Sequence, residues 1–421
     1  MTEIKRRIYK LLVNKISLKH KYAIAVIVLL IVSLFISLSC FTINKRDEFV
    51  YYKYLNKPPD IRVLLLKDAE KAKIEINTSY SISDMDNHTV FAQGLKLPKS
   101  NIYMNSGKLW IKPESYLPRN EASNSLIKAN SSIKLSSHNN GFIKLNNSKY
   151  QGKLLIIPQK SGKFSVLEEI NLEDYLPGVV ESEVPSRWQY DAILAQVIAA
   201  RSYAIFQKRT NNNSQYHVGK LDLAYNGSYT KQSRIKDIVD GSRGVVMLYK
   251  WKFFPGYFHS TCGGYTEDIN LVFGLKNITP LGGVSCGYCE KSKYYQWKKE
   301  IKKSEIEKKL HDNKVNIKNI YDVAAEKIGK GGHCATIKIK HSQGVKRFNA
   351  NEFRLMVGPN NLRSTAFKVK NNGDSLIFEG KGWGHGVGLC QYGMQDMAKS
   401  GFKWYEILKY YYPGVELVKV Y

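Results

Sequence analysis

Two carboxylates near the middle of the chain could act in proton transfer. Glu181 and Glu183 stand two residues apart, immediately before Pro185. In an extended segment their side chains would point to the same side. Two crowded carboxylates raise the pKa of one of them, which makes that one a proton donor at neutral pH. The alternative is that both are surface glutamates of a loop, and composition alone favours that alternative.

An arginine downstream would need such a carboxylate if it were buried. An alanine-rich helix is predicted at 190–207, with apolar residues recurring on one stripe. Arg201 falls on or near that stripe, and a buried guanidinium needs a carboxylate partner. Glu181 and Glu183 are the nearest upstream candidates outside the helix. Alternatively, Arg201 extends along the surface and keeps its charge in water.

A third group of residues has the spacing of metal ligands. One histidine and three cysteines follow the pattern H-x2-C, 23 residues, C-x2-C: His259, Cys262, Cys286 and Cys289. Two close pairs separated by a longer loop suit a four-coordinate zinc site, and four protein ligands favour a structural metal. Disulfide bonds, or a redox pair at C-x2-C, are the alternatives. Cys334 and Cys390 are left over and could pair with each other.

A glycine-rich loop lies towards the C-terminus. Five glycines occur within the nine residues 380–388, and a helix is predicted after them. Alternating glycines let the backbone approach a ligand closely, and the free N–H groups of a helix start face whatever occupies such a loop. Trp383 and His385 suit a sugar site, because indole packs on an apolar sugar face and imidazole hydrogen-bonds hydroxyls. The alternative is a tight structural turn with a packed tryptophan.

The N-terminus indicates where this chemistry would take place. Residues 22–41 are almost wholly apolar and match the hydrocarbon thickness of a bilayer. Seven Lys and Arg precede them and four follow closely, which favours the N-terminus inside and the bulk of the chain outside. We therefore expect a retained single-pass anchor in the cytoplasmic membrane. A cleaved signal peptide is the alternative.

The charge of the chain bears on its partners. The 421 residues include 64 Lys and Arg against 36 Asp and Glu, a formal charge of +28. This excess suggests an anionic partner such as nucleic acid, a membrane surface or a cell-wall polymer. No zinc-finger spacing, RNP pattern or helix-turn-helix signature accompanies it, so we expect no nucleic-acid partner.

The elements that must position these residues predict an α+β fold. Short strands are expected at 61–66, 72–76, 108–111 and 153–157. Further helices are expected at 298–310, 389–399 and 404–411. The predicted organisation is a cytoplasmic basic segment at 1–21, a transmembrane anchor at 22–42, a linker at 43–59, a small β-rich domain at 60–165 and a mixed α/β core at 166–421.

Six motifs, taken in order, resemble the SpoIID/LytB family. They are D-Y-L-x-G-V-V-x-S-E-V-P at 174–185, A-Q-x-x-A-A-R-S-Y at 195–203, C-G-G-x-T-E at 262–267, L-R-S-x-x-F at 362–367, G-W-G-H-G-V-G at 382–388 and Y-Y-P-G at 411–414. The similarity runs from about 60 to 421 and is strongest from 168 onward. Three positions depart from it or vary within it: Leu194 stands where members often carry Lys, Cys390 where Ser is frequent, and Cys262 where members have Ser or Cys.

The resemblance implies an enzyme whose mixed α/β core, at 166–421, is of the SpoIID type. Family members are lytic transglycosylases that cleave the MurNAc–GlcNAc bond of peptidoglycan, favouring strands without stem peptides, or they are modifiers of amidases. The resemblance identifies Glu183 as the catalytic acid, and we expect Arg201 and Tyr203 to position it. The glycan groove is expected to be lined by Trp188, Gln196, Trp383, His385, Gln391 and Tyr392.

The expected partners follow from this reading. They are peptidoglycan strands, the membrane through the N-terminal helix, and a cell-wall amidase. No cofactor is expected for the chemistry, apart from a structural zinc ion at the histidine and three cysteines. A non-catalytic enhancer of an N-acetylmuramoyl-L-alanine amidase is the first alternative, and a purely structural wall-binding anchor is the second. Both alternatives need a groove but no acid of raised pKa.

Overall fold

The computed structural model describes residues 50–51, 54–114, 127–219, 224–227 and 233–421 of the chain. Within those ranges no helix is long and apolar enough to cross a membrane. The predicted basic segment at 1–21 and the predicted anchor at 22–42 lie outside the described residues. Strands and helices of the described part together form an α+β fold, as the sequence predicts.

The elements are named in chain order. The strands are β1 Val50–Tyr51, β2 Asp60–Ala69, β3 Lys71–Ile76, β4 Tyr80–Asp84, β5 Val90–Gly94, β6 Leu97–Asn105, β7 Lys108–Pro113, β8 Ile127–Ala129, β9 Ile133–Ser137, β10 Ile143–Leu145, β11 Ser148–Tyr150, β12 Lys153–Pro158, β13 Phe164–Asn171, β14 Val218–Gly219, β15 Val245–Tyr249, β16 Lys252–Phe253, β17 Phe258–His259, β18 Gln296–Lys302, β19 Ile320–Ile328, β20 Cys334–His341, β21 Gly344–Asn349, β22 Phe367–Asn372, β23 Ser375–Lys381, β24 Leu389–Cys390 and β25 Glu416–Lys419. The helices are α1 Leu172–Glu183, α2 Tyr190–Thr210, α3 Arg234–Gly241, α4 Ile269–Phe273, α5 Lys303–Asp312, α6 Ala350–Val357, α7 Gln391–Lys399 and α8 Trp404–Tyr411.

Two sheets make up most of the first part of the described chain. One has six strands in the order β11-β10-β3-β6-β7-β8, and the other has seven in the order β14-β2-β13-β12-β9-β4-β5. Along β2, Ile61, Val63 and Leu65 are buried and alternate with more exposed residues, as in a strand with one face on a core. The predicted domain boundary at 165/166 falls inside β13, which leads directly into α1, and sheets and helices share one main core.

The helix α2 lies at the centre of this main core. All of its residues from 192 to 205 are buried, so it is enclosed all round rather than amphipathic. It contacts α1, α3, α7, α8 and strand β15. The helix predicted at 190–207 is confirmed, and its central position lets it support side chains from several elements.

The segment that carries Glu183 is a helix, which corrects the extended conformation considered above. Asn171 caps α1, because its side chain accepts a hydrogen bond from the backbone N–H of Glu173. The helix ends at Glu183 because Val184 is extended, the conformation favoured before a proline. On a helix, residues 181 and 183 do not face each other. The two glutamates are therefore not a crowded pair.

A second core lies later in the chain. It combines the three-stranded sheets β18-β23-β22 and β19-β20-β21 with α5 and α6. The helix predicted at 298–310 is wrong in its first part, because β18 occupies those residues and α5 begins only at Lys303. Trp297 and Ile301 are buried in the second core while β18 pairs with β23, so tertiary packing overrides local helix propensity. The helices predicted at 389–399 and 404–411 are confirmed as α7 and α8, with α7 beginning at Gln391.

Candidate active site

The Glu183 carboxyl, at the end of α1, is held by one donor on each oxygen. Its Oε1 accepts a hydrogen bond of 3.0 Å from the backbone N–H of Ala224. Its Oε2 accepts one of 2.9 Å from the Nε2 of Gln391, the first residue of α7. The side chain is half-buried. A carboxyl in this position has a defined orientation and retains access to a ligand.

Burial raises the pKa of Glu183, and the hydrogen bonds from Ala224 and Gln391 oppose that shift because they favour the charged form. The cause differs from the one first considered, which was crowding by Glu181. Since Glu181 lies on another side of α1, desolvation takes the place of like-charge repulsion. The result is a single carboxyl that stays protonated at higher pH than an ordinary glutamate.

Gln391 joins α7 to the central helix as well as to Glu183. Its Nε2 lies 3.5 Å from the Oε1 of Gln196, which is fully buried on α2. Of the predicted groove residues, Gln391 thus contacts Glu183 directly, and Gln196 contacts Gln391. Both are at least nine-tenths buried, and their predicted contact with glycan stays a prediction.

Arg201 pairs with Glu173, not with Glu181 or Glu183, which corrects the partner expected from the sequence. Its Nε and one terminal nitrogen lie 3.0 and 2.9 Å from the two Glu173 oxygens. The guanidinium also donates to the carbonyl oxygens of Val239 and Val245. Glu173 is in the first turn of α1 and Glu183 is its last residue, about 15 Å away at 1.5 Å per residue. Arg201 therefore fixes the far end of the helix that carries Glu183.

Tyr203, the other predicted positioning residue, is buried on α2. Its hydroxyl accepts a hydrogen bond of 2.6 Å from Gln207, one turn along the same helix. Its ring packs on Tyr257 with centroids 5.4 Å apart. These contacts support the core beneath the site, and a direct role on Glu183 stays a prediction.

A row of aromatic rings starts beside Gln391. Trp188 meets Tyr392 edge-on with centroids 5.5 Å apart, Tyr392 meets Tyr294 at 5.9 Å, and Tyr294 meets Trp383 at 4.4 Å. The guanidinium of Arg363 lies 5.5 Å from the Tyr294 ring and 5.3 Å from the Trp383 ring. The structure thus places three of the predicted groove residues, Trp188, Tyr392 and Trp383, in one row. Aromatic faces of this kind are suited to packing against sugar rings.

His385 belongs to a different cluster. Its ring contacts those of Tyr257, His259 and Phe273, with centroids 5.3 to 5.6 Å apart. Its Nδ1 accepts a hydrogen bond of 3.1 Å from the backbone N–H of Val387. Burial holds the pKa of His385 well below its usual value, so the ring is neutral. Its predicted contact with glycan stays a prediction.

Four cysteines form a cluster that includes Cys390, the residue before Gln391. The sulfur atoms of Cys262, Cys286, Cys289 and Cys390 lie within 4.8 Å of one another, and all four residues are buried. Cys390 takes the place that the sequence assigned to His259. On the parallel strands β17 and β24, His259 is the register partner of Cys390, and its Nδ1 bonds instead with the carbonyl oxygen of Val387 at 3.1 Å.

The donor set fits a metal ion. The Sγ atoms of Cys262 and Cys289 are 3.5 Å apart, close to the spacing of about 3.8 Å that tetrahedral zinc with 2.3 Å bonds to sulfur requires. The five cysteines in the described ranges, Cys334 included, are free thiols. Cys334 is buried in the second core, and its Sγ donates to the carbonyl oxygen of Thr365 at 3.2 Å. The four clustered cysteines could hold a metal ion, and Cys390 pairs with them rather than with Cys334.

Several residues of the site were not predicted from the sequence. They are Glu173, Ala224, Tyr294, Arg363 and Cys390. Two carry a signal in the sequence: Arg363 stands in the L-R-S motif, and Cys390 departs from the serine that is frequent at its position. The hydrogen bond from Ala224 uses only a backbone N–H, which side-chain patterns do not reveal.

Two different family models match this chain, one in the main core and one in the second core. The family model SpoIID, described as Stage II sporulation protein, matches residues 160–249, which include α1 and α2. A domain of unknown function (DUF8618) matches residues 284–388, which contain the second core.

Three relatives extend the similarity along the chain. An uncharacterized protein of Brachyspira hyodysenteriae (strain ATCC 49526 / WA1) is 33% identical over 283 residues, which are 65% of this chain and 73% of that protein. The Stage II sporulation protein D of Bacillus subtilis (strain 168) is 30% identical over 268 residues, 60% of this chain and 75% of that protein. The amidase enhancer of the same strain is 26% identical over 288 residues, 58% of this chain and 40% of that protein. The chain belongs to the SpoIID family.

Proposed function

We propose that the protein is a peptidoglycan lytic transglycosylase in which Glu183 is both acid and base. The observation that carries this proposal is the Glu183 carboxyl, whose pKa is raised by burial while Ala224 and Gln391 fix its oxygens. A carboxyl of this kind can donate a proton near neutral pH. The aromatic row from Trp188 to Trp383 supplies a surface for a glycan beside it.

In the proposed reaction, protonated Glu183 gives its proton to the oxygen that links MurNAc to GlcNAc. The bond from that oxygen to C1 of MurNAc breaks while oxocarbenium-like charge develops at C1. The C6 hydroxyl of the same MurNAc bonds to C1, and its proton passes to the Glu183 carboxylate. The products are a 1,6-anhydro-MurNAc end and a GlcNAc end with a free hydroxyl, and Glu183 is again protonated.

One carboxyl group is sufficient for this chemistry because the nucleophile belongs to the substrate. An intramolecular hydroxyl that is already in place needs no second carboxylate to activate a water molecule. Glycoside hydrolases generally use two. The separation of Glu181 from Glu183 on α1 is consistent with a single acid/base.

We propose a structural zinc ion at Cys262, Cys286, Cys289 and Cys390. A bound metal with four thiolate ligands has no open coordination position, so it would cross-link the chain without taking part in the chemistry. Cys390 precedes Gln391, which contacts Glu183. The metal site would thus hold the start of α7 in the position that orients the acid.

The proposed substrate also implies a location. Peptidoglycan lies outside the cytoplasmic membrane, so we propose an extracytoplasmic catalytic part tethered by the apolar segment at 22–42. A cell-wall amidase is the proposed protein partner, on the strength of similarity to a protein named amidase enhancer. Enhancement of an amidase without catalysis is the second candidate function, and it rests on the same similarity.

The test uses the purified full-length chain and glycan strands stripped of stem peptides. Mass spectrometry should detect 1,6-anhydro ends, which should disappear with Glu183→Gln. Glu181→Gln is the matched control and should keep the activity, because its side chain lies on another side of α1. Absence of anhydro ends from every glycan preparation would refute the enzyme. If Glu183→Gln still stimulates an amidase while wild type makes no anhydro product, the second candidate function is supported instead.

A further inference from the structure

We propose that residues 224–227 form a strap that orients the Glu183 carboxyl, and that Tyr225 and Gly227 are its two anchor points. This inference rests on the proposed role of Glu183. It adds positioning residues from a segment that neither the family motifs nor the predicted site included. The strap itself supplies only a backbone N–H to the site, that of Ala224.

The first anchor is the Tyr225 side chain, which is buried. Its hydroxyl donates a hydrogen bond of 2.6 Å to the Oε2 of Glu168, and the Oε1 of Glu168 accepts one of 2.9 Å from the backbone N–H of Gly152. The Tyr225 ring packs on Tyr175 of α1 and Tyr150 of β11, with centroids 4.7 and 6.1 Å apart. A hydrogen bond to a buried carboxyl inside a packed aromatic group gives the strap a fixed point.

The second anchor is Gly227, where only glycine fits. Its φ of +97° is in the range that L side chains rarely adopt. A Cβ atom at this position would lie 2.1 Å from the carbonyl oxygen of Lys149 on β11. Backbone therefore meets backbone at this point, and a side chain here would push the strap away from the sheet.

Both anchors attach the strap to the part of the fold that carries Glu183. Glu168 lies on β13. This strand runs directly into α1, and α1 ends at Glu183. Tyr225 fixes the strap to Glu168. The backbone N–H of the adjacent Ala224 then lies 3.0 Å from the Oε1 of Glu183. Gln391 holds the other oxygen from α7. The carboxyl is thus fixed by donors from two separate elements.

The effect of Tyr225 variants on the pKa of Glu183 distinguishes a strap that only stabilises the core from one that positions the carboxyl. If Tyr225 only filled the core, its replacement would lower stability and leave the ionisation of Glu183 unchanged. If the strap delivers the Ala224 N–H, loosening it removes a donor that favours the charged carboxylate, so the pKa of Glu183 rises. The pKa of Glu183 therefore distinguishes the two.

The experiment compares Tyr225→Phe and Gly227→Ala with two matched controls in the full-length chain. Tyr150→Phe removes a hydroxyl from the same aromatic group without touching the bond between Tyr225 and Glu168. Gly162→Ala introduces a side chain at a similar positive φ, +75°, where no atom lies within 4 Å of the new Cβ. The pKa of Glu183 is read from the carboxyl carbon resonances of 13C-labelled glutamate, assigned by comparison with Glu183→Gln.

We expect Tyr225→Phe and Gly227→Ala each to raise the pKa of Glu183 by about one unit, the scale of one hydrogen bond to a charged group. The kcat for anhydro product should fall about tenfold to a hundredfold with little change in KM, because the acid is misplaced and the glycan surface is intact. Both controls should keep the wild-type pKa. An unchanged Glu183 pKa in folded Gly227→Ala protein would overturn the strap, even if Tyr225→Phe fails to fold. A wild-type chain without activity but with the expected pKa shifts would refute the proposed function and leave the strap standing.

Discussion

Removing the charge of Glu173 should destabilise the main core rather than impair the chemistry. The side chains of Arg201 and Glu173 are 0% and 2% exposed, so water cannot replace a lost partner. Glu173→Gln keeps the shape of the side chain but leaves the guanidinium buried without a carboxylate. Breaking a buried pair in this way costs about 3–5 kcal/mol of the free energy of unfolding. With a urea m-value of about 3 kcal/mol per molar, the unfolding midpoint should fall by about 1–2 M.

The assay is urea denaturation of the full-length chain followed by tryptophan fluorescence. Arg243→Met is the matched control, because Arg243 is exposed close to the same helix end, and it should change the free energy of unfolding by less than about 0.5 kcal/mol. The double variant Glu173→Gln/Arg201→Met should recover part of the loss, since no unpaired charge remains buried. If Glu173→Gln leaves the midpoint in place but lowers the yield of anhydro product, Arg201 acts on the chemistry and the structural assignment is wrong.

Three further predictions concern separate parts of the molecule. Burial raises the pKa of Glu168 to about 7, whereas a glutamate in an unfolded chain has a pKa of about 4.3. The folded state therefore binds this proton more tightly than the unfolded state does. The free energy of unfolding should fall as the pH rises between those two values, by up to about 1.4 kcal/mol per pH unit. Glu168→Gln should remove this part of the pH dependence, and an identical pH profile in both proteins would contradict the assignment. Cys390→Ser should lower the zinc content measured by elemental analysis, whereas Cys334→Ser should not; no zinc in wild-type protein purified without chelator would exclude the metal site. Tyr294→Ala removes the middle of the aromatic row and should raise the KM for glycan strands about tenfold with the pKa of Glu183 unchanged; an unchanged KM would exclude the row as a glycan surface.

The sequence predicted the elements whose pattern is local. An amphipathic pattern and a following Pro-Gly set the limits of α8. The apolar residues of α2 predict a helix there, although the structure buries that helix on all sides rather than along one stripe. Three of the four clustered cysteines were also predicted, because their spacing along the chain is that of metal ligands. In each case the deciding information lies within a few residues or in one short motif.

What could not be predicted depends on contacts between distant segments. The partner of Arg201 lies 28 residues away, and the choice of Glu173 over Glu183 requires α1 to be a helix with its start against α2. Cys390 lies 128 residues from Cys262 and enters the cluster through the pairing of β24 with β17. The donor from Ala224 is part of the backbone, so no residue type marks it. These features follow from topology, which spacing alone does not encode.

The arrangement of the four cysteines has a consequence for how this chain can vary. Cys289 and Cys390 bracket the second core, which runs from Trp297 to Phe378, while their sulfur atoms lie side by side in the main core. A metal at that point would close the intervening hundred or so residues into a loop with fixed ends, and the closure entropy of a loop changes only slowly with its length. Insertions or exchanges within the second core, away from Arg363 and the aromatic row, would then leave Gln391 at the same place beside Glu183. The second core could then vary in sequence and length, while the main core around Glu183 and Gln391 keeps its geometry. The four cysteines would mark the boundary between the two.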